Sequence, residues 1–261
     1  MSKKQLISEL RDLGVKTGST VFVHSSLSKL GFVEGGAETV VAALLESVGP
    51  SGTIAMPAYP ISDYSIDALK KEPIFDPTKD PSRMGKITEI FRLQKGVLRS
   101  SHYTHSCCAL GPAADFLTRD HESSITPVGP GSPYARLIEE EGFVLALGST
   151  FGHITFYHVI EDQMANFPYQ VYYPDILRGP IRSKNGDTRY SQYRLHDPKI
   201  YLGKRIDLNS KKETEMLMHF RQAGILHEGP VGAGEAKLFP AVEAANLLRR
   251  LAERGVTIYQ T

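Results

Sequence analysis

Apolar and polar positions in the first part of the chain alternate between helical and extended spacing. Residues 4–13 carry apolar side chains at helical intervals, and Gly14 ends the pattern. Short apolar runs at 20–24 and 53–56 predict buried strands, and a helix that begins near Gly36 is predicted between them. Strands that alternate with helices in this way are typical of a layered α/β core.

The alternation continues to about residue 165. Residues 57–81 carry five prolines and several acids, which predicts a long irregular loop. Ser132 and Pro133 have the residue types of a helix N-cap and first helical position. Helices are predicted at 84–93, 133–140, 155–164 and 241–254, and strands at 106–110 and 143–147.

The composition changes after Ala165, where tyrosines become frequent. Turn residues stand at 184–187 and 202–204, and the alternation in 188–195 suits the strands of a hairpin. We therefore predict an α/β core from residues 1–165 and 231–261. A smaller β-rich subdomain is predicted at 166–230, with one helix near 211–222.

Composition and charge narrow the possible partners. Among 261 residues, 30 are Lys or Arg and 29 are Asp or Glu, so the formal charge is +1. This balance predicts no nucleic-acid partner and no membrane surface. Apolar runs are too short to span a bilayer, and the start of the chain shows no apolar signal core. The adjacent Cys107 and Cys108 cannot form a disulfide framework, so a cytoplasmic location is expected.

The first candidate binding segment follows the first predicted strand. His24 ends that strand, and a polar loop and three glycines follow it: Ser25, Ser26, Leu27, Ser28, Gly31, Gly35 and Gly36. Ligand loops of open α/β sheets gather at such strand ends, and the next helix N-terminus can hold an anion. An ordinary strand–loop–helix connection has the same features, so both interpretations stay open.

A basic stretch and a histidine pair form the next candidates. Five cations in a short span could meet a phosphorylated ligand or form a solvated helix face: Arg83, Lys86, Arg92, Lys95 and Arg99. His102 and His105 could bind a metal, but zinc needs at least three organised ligands and no H-E-x-x-H or C-x-x-C occurs. No metal site is therefore predicted.

The last candidate has the spacing of a general base. Thr155, His158 and Glu161 are three residues apart and would share one face of a helix. A carboxylate beside an imidazole orients it and raises its basicity. A helix histidine with a surface neighbour would show the same spacing, so the pattern alone leaves both hypotheses open.

Taken in order, these motifs resemble the aminoglycoside 3-N-acetyltransferase family, which is unrelated in fold to the common small acetyltransferases. The resemblance covers about residues 20–165, and Val231-Gly232 and the final helix also fit. The motifs are His24-Ser25-Ser26-Leu27-Ser28-Lys29-Leu30-Gly31, Gly35-Gly36-Ala37, Gly52-Thr53-Ile54-Ala55-Met56-Pro57, Ser82-Arg83-Met84-Gly85, Arg99-Ser100-x-His102, Gly131-Ser132-Pro133 and Thr155-x-x-His158-x-x-Glu161.

The resemblance implies a three-layer α/β/α sandwich with a smaller added portion. It also implies an N-acyltransferase that uses acetyl-coenzyme A or another acyl-coenzyme A, with no metal. His158 would be the catalytic base, supported by Glu161. For such a reaction, Ser82 and the backbone N–H groups of the Ser25–Ser28 loop are candidate donors to the thioester oxyanion. Residues expected to line the coenzyme site are His24, Ser25, Ser26, Leu27, Ser28, Gly31, Val33, Gly35, Gly36, Pro57, Arg83, Met84, Arg99 and His102.

The amine acceptor, a small molecule, stays open between an aminoglycoside and a nucleotide-linked amino sugar of surface polysaccharide. Residues 166–230 are expected to help form its site. Gly152-His153-Ile154 lacks the acid that the family commonly has there, and Tyr103 and Cys108 also depart from its pattern. A local acidic wall for a polycation could come from Asp63, Asp67, Glu72, Asp76 and Asp80.

Two other classes compete with the acyltransferase. One is a metal-dependent hydrolase that uses His24, His102, His105 and His158. The other is an acyl-coenzyme A binder without catalysis. The acyl group and the oligomeric state are not determined by the sequence.

Overall fold

A computed structural model describes residues 1–61, 65–71, 74–183, 185–201, 205–206 and 209–259. The strands, in chain order, are β1 (Thr20–Ser25), β2 (Thr53–Pro57), β3 (Leu98–Arg99), β4 (Cys107–Leu110), β5 (Phe143–Leu147), β6 (Leu177–Arg182), β7 (Thr188–Tyr193), β8 (His227–Val231) and β9 (Gly234–Pro240). The α-helices are α1 (Lys3–Leu13), α2 (Gly36–Val48), α3 (Ser65–Lys70), α4 (Lys86–Arg92), α5 (Ala114–Thr118), α6 (Pro133–Glu139), α7 (Pro198–Tyr201), α8 (Ser210–Gln222) and α9 (Ala241–Glu253).

One mixed sheet of seven strands organises the chain, in the order β3-β4-β2-β1-β5-β9-β8. At its centre, β1 runs parallel to both β2 and β5. The outer strands β4, β3, β9 and β8 are joined by antiparallel pairings. The carboxyl ends of β1, β2 and β5 therefore meet at one edge of the sheet, where ligand loops of α/β folds gather.

Helices cover both faces of this sheet. Side chains alternate along a strand, so Val21 and Val23 join one apolar cluster while Phe22 joins the other. The first cluster contains the apolar faces of α1, α2 and α4, and the second contains those of α5, α6, α8 and α9. This arrangement confirms the predicted three-layer α/β/α class. Among the described helices, none is long and apolar enough to cross a bilayer.

The strands β6 and β7 form a separate antiparallel pair, as the alternation at 188–195 predicted. This hairpin packs on a small apolar cluster that contains Phe75 and Tyr103. The Phe75 amide also donates to the Pro180 carbonyl of β6, and the Phe75 carbonyl accepts from the Arg182 amide. The helix α8 instead packs Met216 and Phe220 into the main core. The division of the chain at 166–230 stays a prediction.

Several local expectations need correction. Residues 155–160 form a 3-10 helix rather than the start of an α-helix through 164. Every residue from Phe156 to Ile160 is buried, so packing on all sides sets this backbone rather than one amphipathic face. Residues 57–81, which were expected to form an irregular loop, contain the helix α3. The edge strand β8 was not predicted from the sequence, because Gly229 and Pro230 break its pattern.

Other expectations fall outside the described residues. They are the turn at 202–204, Lys184 of the hairpin turn, and the acids Asp63 and Glu72. The N-cap expected at Ser132 is confirmed, since its side chain accepts from the Ala135 amide and Pro133 is the first helical residue.

Gly111, directly after β4, has a backbone that only glycine fits. Its φ is +130°, and a Cβ atom there would lie 2.2 Å from the Gly52 carbonyl oxygen. Gly224, after α8, also has a positive φ of +69°, but a Cβ atom would meet nothing within 4 Å. The two positions therefore separate backbone strain from a clash between strands.

We expect Gly111→Ala to lower the free energy of unfolding by about 3 kcal/mol or more, because strain and overpacking add. Gly224→Ala should cost only about 1–2 kcal/mol, because it adds strain alone. Urea unfolding followed by circular dichroism measures both values. Equal losses in the two variants would contradict the close approach of β2 and the residue after β4.

Candidate active site

His158 lies in the 3-10 helix with its side chain turned toward Glu161. Side chains at i and i+3 eclipse one another in a 3-10 helix, so this backbone brings the two residues together. The His158 Nδ1 atom is 2.7 Å from Glu161 Oε1, and both side chains are buried. The spacing of these two residues in the sequence thus predicted a real contact, although the helix type was wrong.

Two residues that the sequence analysis missed complete the surroundings of Glu161. The Glu161 Oε2 atom lies 2.6 Å from His196 Nε2, and the Tyr259 hydroxyl donates to Glu161 Oε1 at 2.6 Å. The same hydroxyl lies 3.2 Å from His158 Nδ1. His196 and Tyr259 are 35 and 98 residues from Glu161, so no local pattern could have indicated either.

Burial and hydrogen bonding decide the protonation of this cluster. Burial lowers the pKa of His158 below its usual 6.5, although the Glu161 charge acts in the opposite direction. Burial alone would raise the pKa of Glu161, but the charges and hydrogen bonds of His158 and His196 lower it overall. At neutral pH, Glu161 is a carboxylate and His158 is neutral, with its Nδ1–H donated to Glu161. The lone pair on His158 Nε2 is then available to accept a proton.

A second hydrogen-bonded group connects the segment after β2 with the 3-10 helix. The Tyr59 hydroxyl donates to Thr155 Oγ1 at 2.9 Å and also shares a hydrogen bond with the Tyr134 hydroxyl. The Tyr59 ring packs on His105, with 4.5 Å between the ring centroids. Burial lowers the pKa of His105 well below 6.5, with smaller contributions from His196 and His158. A neutral imidazole therefore stands close to the catalytic candidates.

The loop after β1 lies at the carboxyl edge of the sheet, as predicted. The Ser26 amide bonds the Leu147 carbonyl at the end of β5, and a 3-10 turn follows at Leu27–Lys29. Ser28 Oγ is 3.3 Å from Ser26 Oγ, and Val33 is buried. Three glycines of this loop have positive φ, and the last begins α2: Gly31, Gly35 and Gly36.

His24 and Ser25 stand at the base of this loop with free polar atoms. Neither His24 Nε2 nor Ser25 Oγ has a hydrogen-bond partner in the described part of the chain. Burial, with a smaller contribution from His153, lowers the pKa of His24 to about 3. His24 is therefore a neutral residue with an unused ring nitrogen at the carboxyl edge.

Arg99 holds the segments around the end of β2 together. Its guanidinium donates to the Ala58 carbonyl at 2.5 Å, to Ser106 Oγ at 3.2 Å and to the carbonyls of Pro77 and Asp80. Burial is the main reason that its pKa falls below the usual value. Its donors are engaged within the protein, so a contact with coenzyme phosphate stays a prediction.

The segment 82–84 reaches the same place from another direction. The Arg83 amide bonds the Tyr59 carbonyl, two residues after Pro57, and the Arg83 side chain is exposed. The Ser82 hydroxyl accepts from the Met84 amide at 3.2 Å, and the Ser82 amide donates to Glu89. Arg83 and Met84 therefore lie near the end of β2, while the described side-chain and amide contacts of Ser82 are with Met84 and with Glu89 of α4.

His102 lies in the interior of the protein and not on an exposed surface that a ligand could contact. It is fully buried, and its Nδ1 accepts from the amides of Thr104 and His105 at 3.3 and 3.1 Å. Its ring packs on His121 with 4.6 Å between centroids. In this position His102 organises the turn before β4, and its contact with a coenzyme stays a prediction.

Known proteins resemble this chain in sequence and in fold. The sequence profile described as aminoglycoside 3-N-acetyltransferase matches residues 22–253. The chain belongs to the aminoglycoside 3-N-acetyltransferase family. Aminoglycoside N(3)-acetyltransferase IX of Micromonospora chalcea is 31% identical over 92% of this chain and 89% of its own.

Two further family members extend the match. The SPbeta prophage-derived aminoglycoside N(3')-acetyltransferase-like protein YokD of Bacillus subtilis is 29% identical over 95% of this chain and 91% of its own. The solved structure of AAC-IIIb in a binary complex with CoASH superposes with a TM-score of 0.83, at 26% identity, over 100% of this chain and 99% of its own. The family membership makes this chain an acyltransferase.

The cysteines of this acetyltransferase are poorly suited to hold an acyl group. Cys107 and Cys108 lie in β4 and are fully buried. Burial raises the pKa of Cys108 to about 12 and that of Cys107 well above its usual value. The nucleophile in thiol chemistry is the thiolate, so burial leaves both cysteines weakly nucleophilic at neutral pH.

We expect neither thiol of the native acetyltransferase to react with iodoacetamide at pH 8, because both remain protonated and covered. Unfolded protein, the matched control, should take up one label at each cysteine. Mass spectrometry of labelled protein measures the outcome. Rapid labelling of the native protein with parallel loss of transferase activity would indicate a reactive cysteine instead.

Proposed function

We propose that this protein transfers an acyl group, by preference acetyl, from acyl-coenzyme A to an amine of an aminoglycoside or related amino sugar. The observation that carries the proposal is the contact between Glu161 and His158 Nδ1, which leaves His158 Nε2 free to act as a base. The family membership and the coenzyme in the AAC-IIIb complex support the choice of donor.

In this mechanism, His158 Nε2 removes a proton from the acceptor amine as its nitrogen attacks the thioester carbonyl. The new C–N bond forms, the C–S bond breaks, and the imidazolium returns the proton to the departing thiolate. Glu161 stabilises the transient positive charge on His158. General-base catalysis of this kind contributes about 10²–10⁴ in rate.

The coenzyme would lie along the carboxyl edge of the sheet. The glycine-rich loop after β1 and the end of β2 lie at this edge, and the backbone of the exposed Arg83 bonds Tyr59 just after β2. The free polar atoms of His24 and Ser25 are suited to bind a polar ligand there. The Ser82 hydroxyl and backbone amides of the Ser25–Ser28 loop other than that of Ser26, which bonds the Leu147 carbonyl, are the proposed donors to the thioester oxyanion.

The stretch 166–230 would contribute to the acceptor site, because His196 in this stretch contacts Glu161. The expected acidic wall is less available than its sequence indicates. Asp76 Oδ1 accepts from the Thr78 amide, and Asp80 Oδ2 accepts from the Asp76 amide, so both acids bond their own loop. A panel of acceptors should therefore include both aminoglycosides and the second candidate acceptor, a nucleotide-linked amino sugar with fewer positive charges.

A thiol-release assay with acetyl-coenzyme A tests the proposal directly. The acceptor panel contains aminoglycosides and nucleotide-linked amino sugars, and mass spectrometry identifies the acylated nitrogen. Release of coenzyme A only with an amine present is the expected result. Coenzyme binding without turnover on the whole panel would instead indicate a binding protein.

We expect His158→Ala to reduce kcat by about 10²–10⁴ and to leave coenzyme affinity nearly unchanged. Glu161→Gln should reduce kcat less, because the imidazole remains. In the wild type, kcat/KM should decrease as the pH is lowered, with a midpoint below pH 6.5. Burial lowers the pKa of His158, so the base becomes protonated only at these lower pH values. The residual rate of His158→Ala should rise with pH as free amine becomes available.

His227→Ala is the control for this series, because His227 is an exposed histidine on β8. It should keep the wild-type rate and pH profile. A near-normal kcat in His158→Ala would assign a structural role to His158 and make His24 or His102 the next candidate base.

The metal-dependent hydrolase is a second candidate class, because one atom each of His158, Glu161 and His196 lie within 4.8 Å of one another. Ligand atoms on a tetrahedral zinc ion stand about 3.3 Å apart. The two histidine–carboxylate contacts are only 2.6 and 2.7 Å, which is the length of a hydrogen bond. The geometry therefore favours the proton-transfer role.

We expect acyl transfer to persist after exhaustive dialysis against a chelator, since the cluster is held by hydrogen bonds. Elemental analysis of the purified protein and the thiol-release assay are the two measurements. One tightly bound zinc per chain, with activity lost on its removal and restored by zinc, would favour the hydrolase or a metal-assisted transferase.

A further inference from the structure

A cavity of about 670 Å³ lies away from the His158 cluster, between the edge strand β3, the helix α5 and the β6–β7 hairpin. Neither Glu161 nor its partners His158, His196 and Tyr259 line this cavity. Its volume is in the range of about 300–1,000 Å³ that is usual for small-molecule sites. The cavity therefore has the size of a separate ligand site.

Arginine is the dominant charged residue in the lining. Five arginines face three acids, which are Asp115, Asp120 and Glu122. Arg99 is engaged with backbone carbonyls, and Arg92 forms a two-point contact with Glu89 at 2.6 and 2.8 Å. The remaining three arginines decide what the cavity can bind: Arg119, Arg182 and Arg189.

These three guanidiniums retain donors for a ligand. Arg119 is 3.8 Å from Asp115, a weak pair between two exposed side chains. Arg182 uses one nitrogen to bond the Gly186 carbonyl at 2.9 Å. Arg189 pairs through its backbone with β6, but its guanidinium forms no hydrogen bond or ion pair with a described residue. The planar fork of arginine matches the oxygen atoms of phosphate and carboxylate groups.

A hydroxyl and an apolar surface add to the guanidiniums. The Ser183 Oγ atom is buried at the cavity and has no hydrogen-bond partner among the described residues. Val97, Leu98 and Ile181 also line the cavity, and Leu98 is 39% exposed. An organic body could cover these apolar side chains while its anionic group reaches the arginines.

We propose that this cavity binds a phosphorylated small molecule of nucleotide size, separately from the acyl-coenzyme A and amine sites. A polycationic aminoglycoside would be repelled by its arginines, and the catalytic candidates His158 and Glu161 do not line it, so it is distinct from the proposed acceptor site. The coenzyme is placed at the ends of β1, β2 and β5. Of the residues expected to line the coenzyme site, the cavity lining includes Arg99 of β3, whose donors are engaged with Ser106 and with backbone carbonyls.

The test is calorimetric titration of the full-length protein with ATP as the probe, at saturating coenzyme A. Wild-type protein should bind ATP under these conditions. The double variant Arg182→Ala/Arg189→Ala should bind it about tenfold or more weakly, because two charge-assisted contacts are lost. Coenzyme affinity and basal thiol release should not change, since neither arginine lies in the proposed catalytic site.

Arg178→Ala is the matched control. Arg178 is on the same strand as Arg182, but its guanidinium lies over the Tyr190 ring at 5.1 Å and does not line the cavity. Its ATP affinity should stay within about twofold of wild type. Any of three results would overturn the proposal: no ATP binding at saturating coenzyme A, competition with coenzyme A, or equal affinity in the double variant. If the wild type showed no acyl transfer, that result would contradict the proposed function and not the ATP site.

Discussion

The buried carboxylate of Glu161 is the group on which the arrangement of the candidate active site depends. A carboxylate removed from water costs several kcal/mol unless hydrogen bonds replace its hydration. Here the donors are His158, His196 and Tyr259, which come from a 3-10 helix, the segment after the hairpin and the end of the described chain. Satisfying one charge therefore brings three distant parts of the chain together. The same contacts fix which nitrogen of His158 is free.

Arg99 has a comparable organising role at the neighbouring strand end. It is a half-buried cation whose hydrogen-bond partners are mostly backbone carbonyls, at Ala58, Pro77 and Asp80. Loops that follow different elements are thereby held beside β2, next to the loop after β1. The carboxyl ends of the three parallel strands then provide a common edge on which a long ligand such as coenzyme A could lie.

The nearly neutral total charge conceals a strong local separation. The cavity beside β3 collects five arginines, whereas the Glu161 cluster contains a carboxylate, two histidines and a tyrosine. A positively charged acceptor and a negatively charged ligand would therefore favour different places on the same molecule. Such separation follows from the fold, because the hairpin β6–β7 brings Arg182 and Arg189 to the same cavity as Arg99 of the edge strand β3 and Arg92 at the end of α4.

The sequence by itself determined the α/β class, most strands and helices of the core, the cap at Ser132, and the contact between His158 and Glu161. These features depend on residues close together in the chain, where periodicity and spacing are informative, and the ordered motifs indicated the family. Only the tertiary structure decided the partners of Glu161, the engagement of Arg99, the 3-10 backbone at 155–160 and the arginine-lined cavity. Each depends on contacts between distant segments, such as Tyr259 and Glu161, which are 98 residues apart. Local patterns contain no signal for such contacts, because burial and hydrogen-bond demand select them after the sheet has formed.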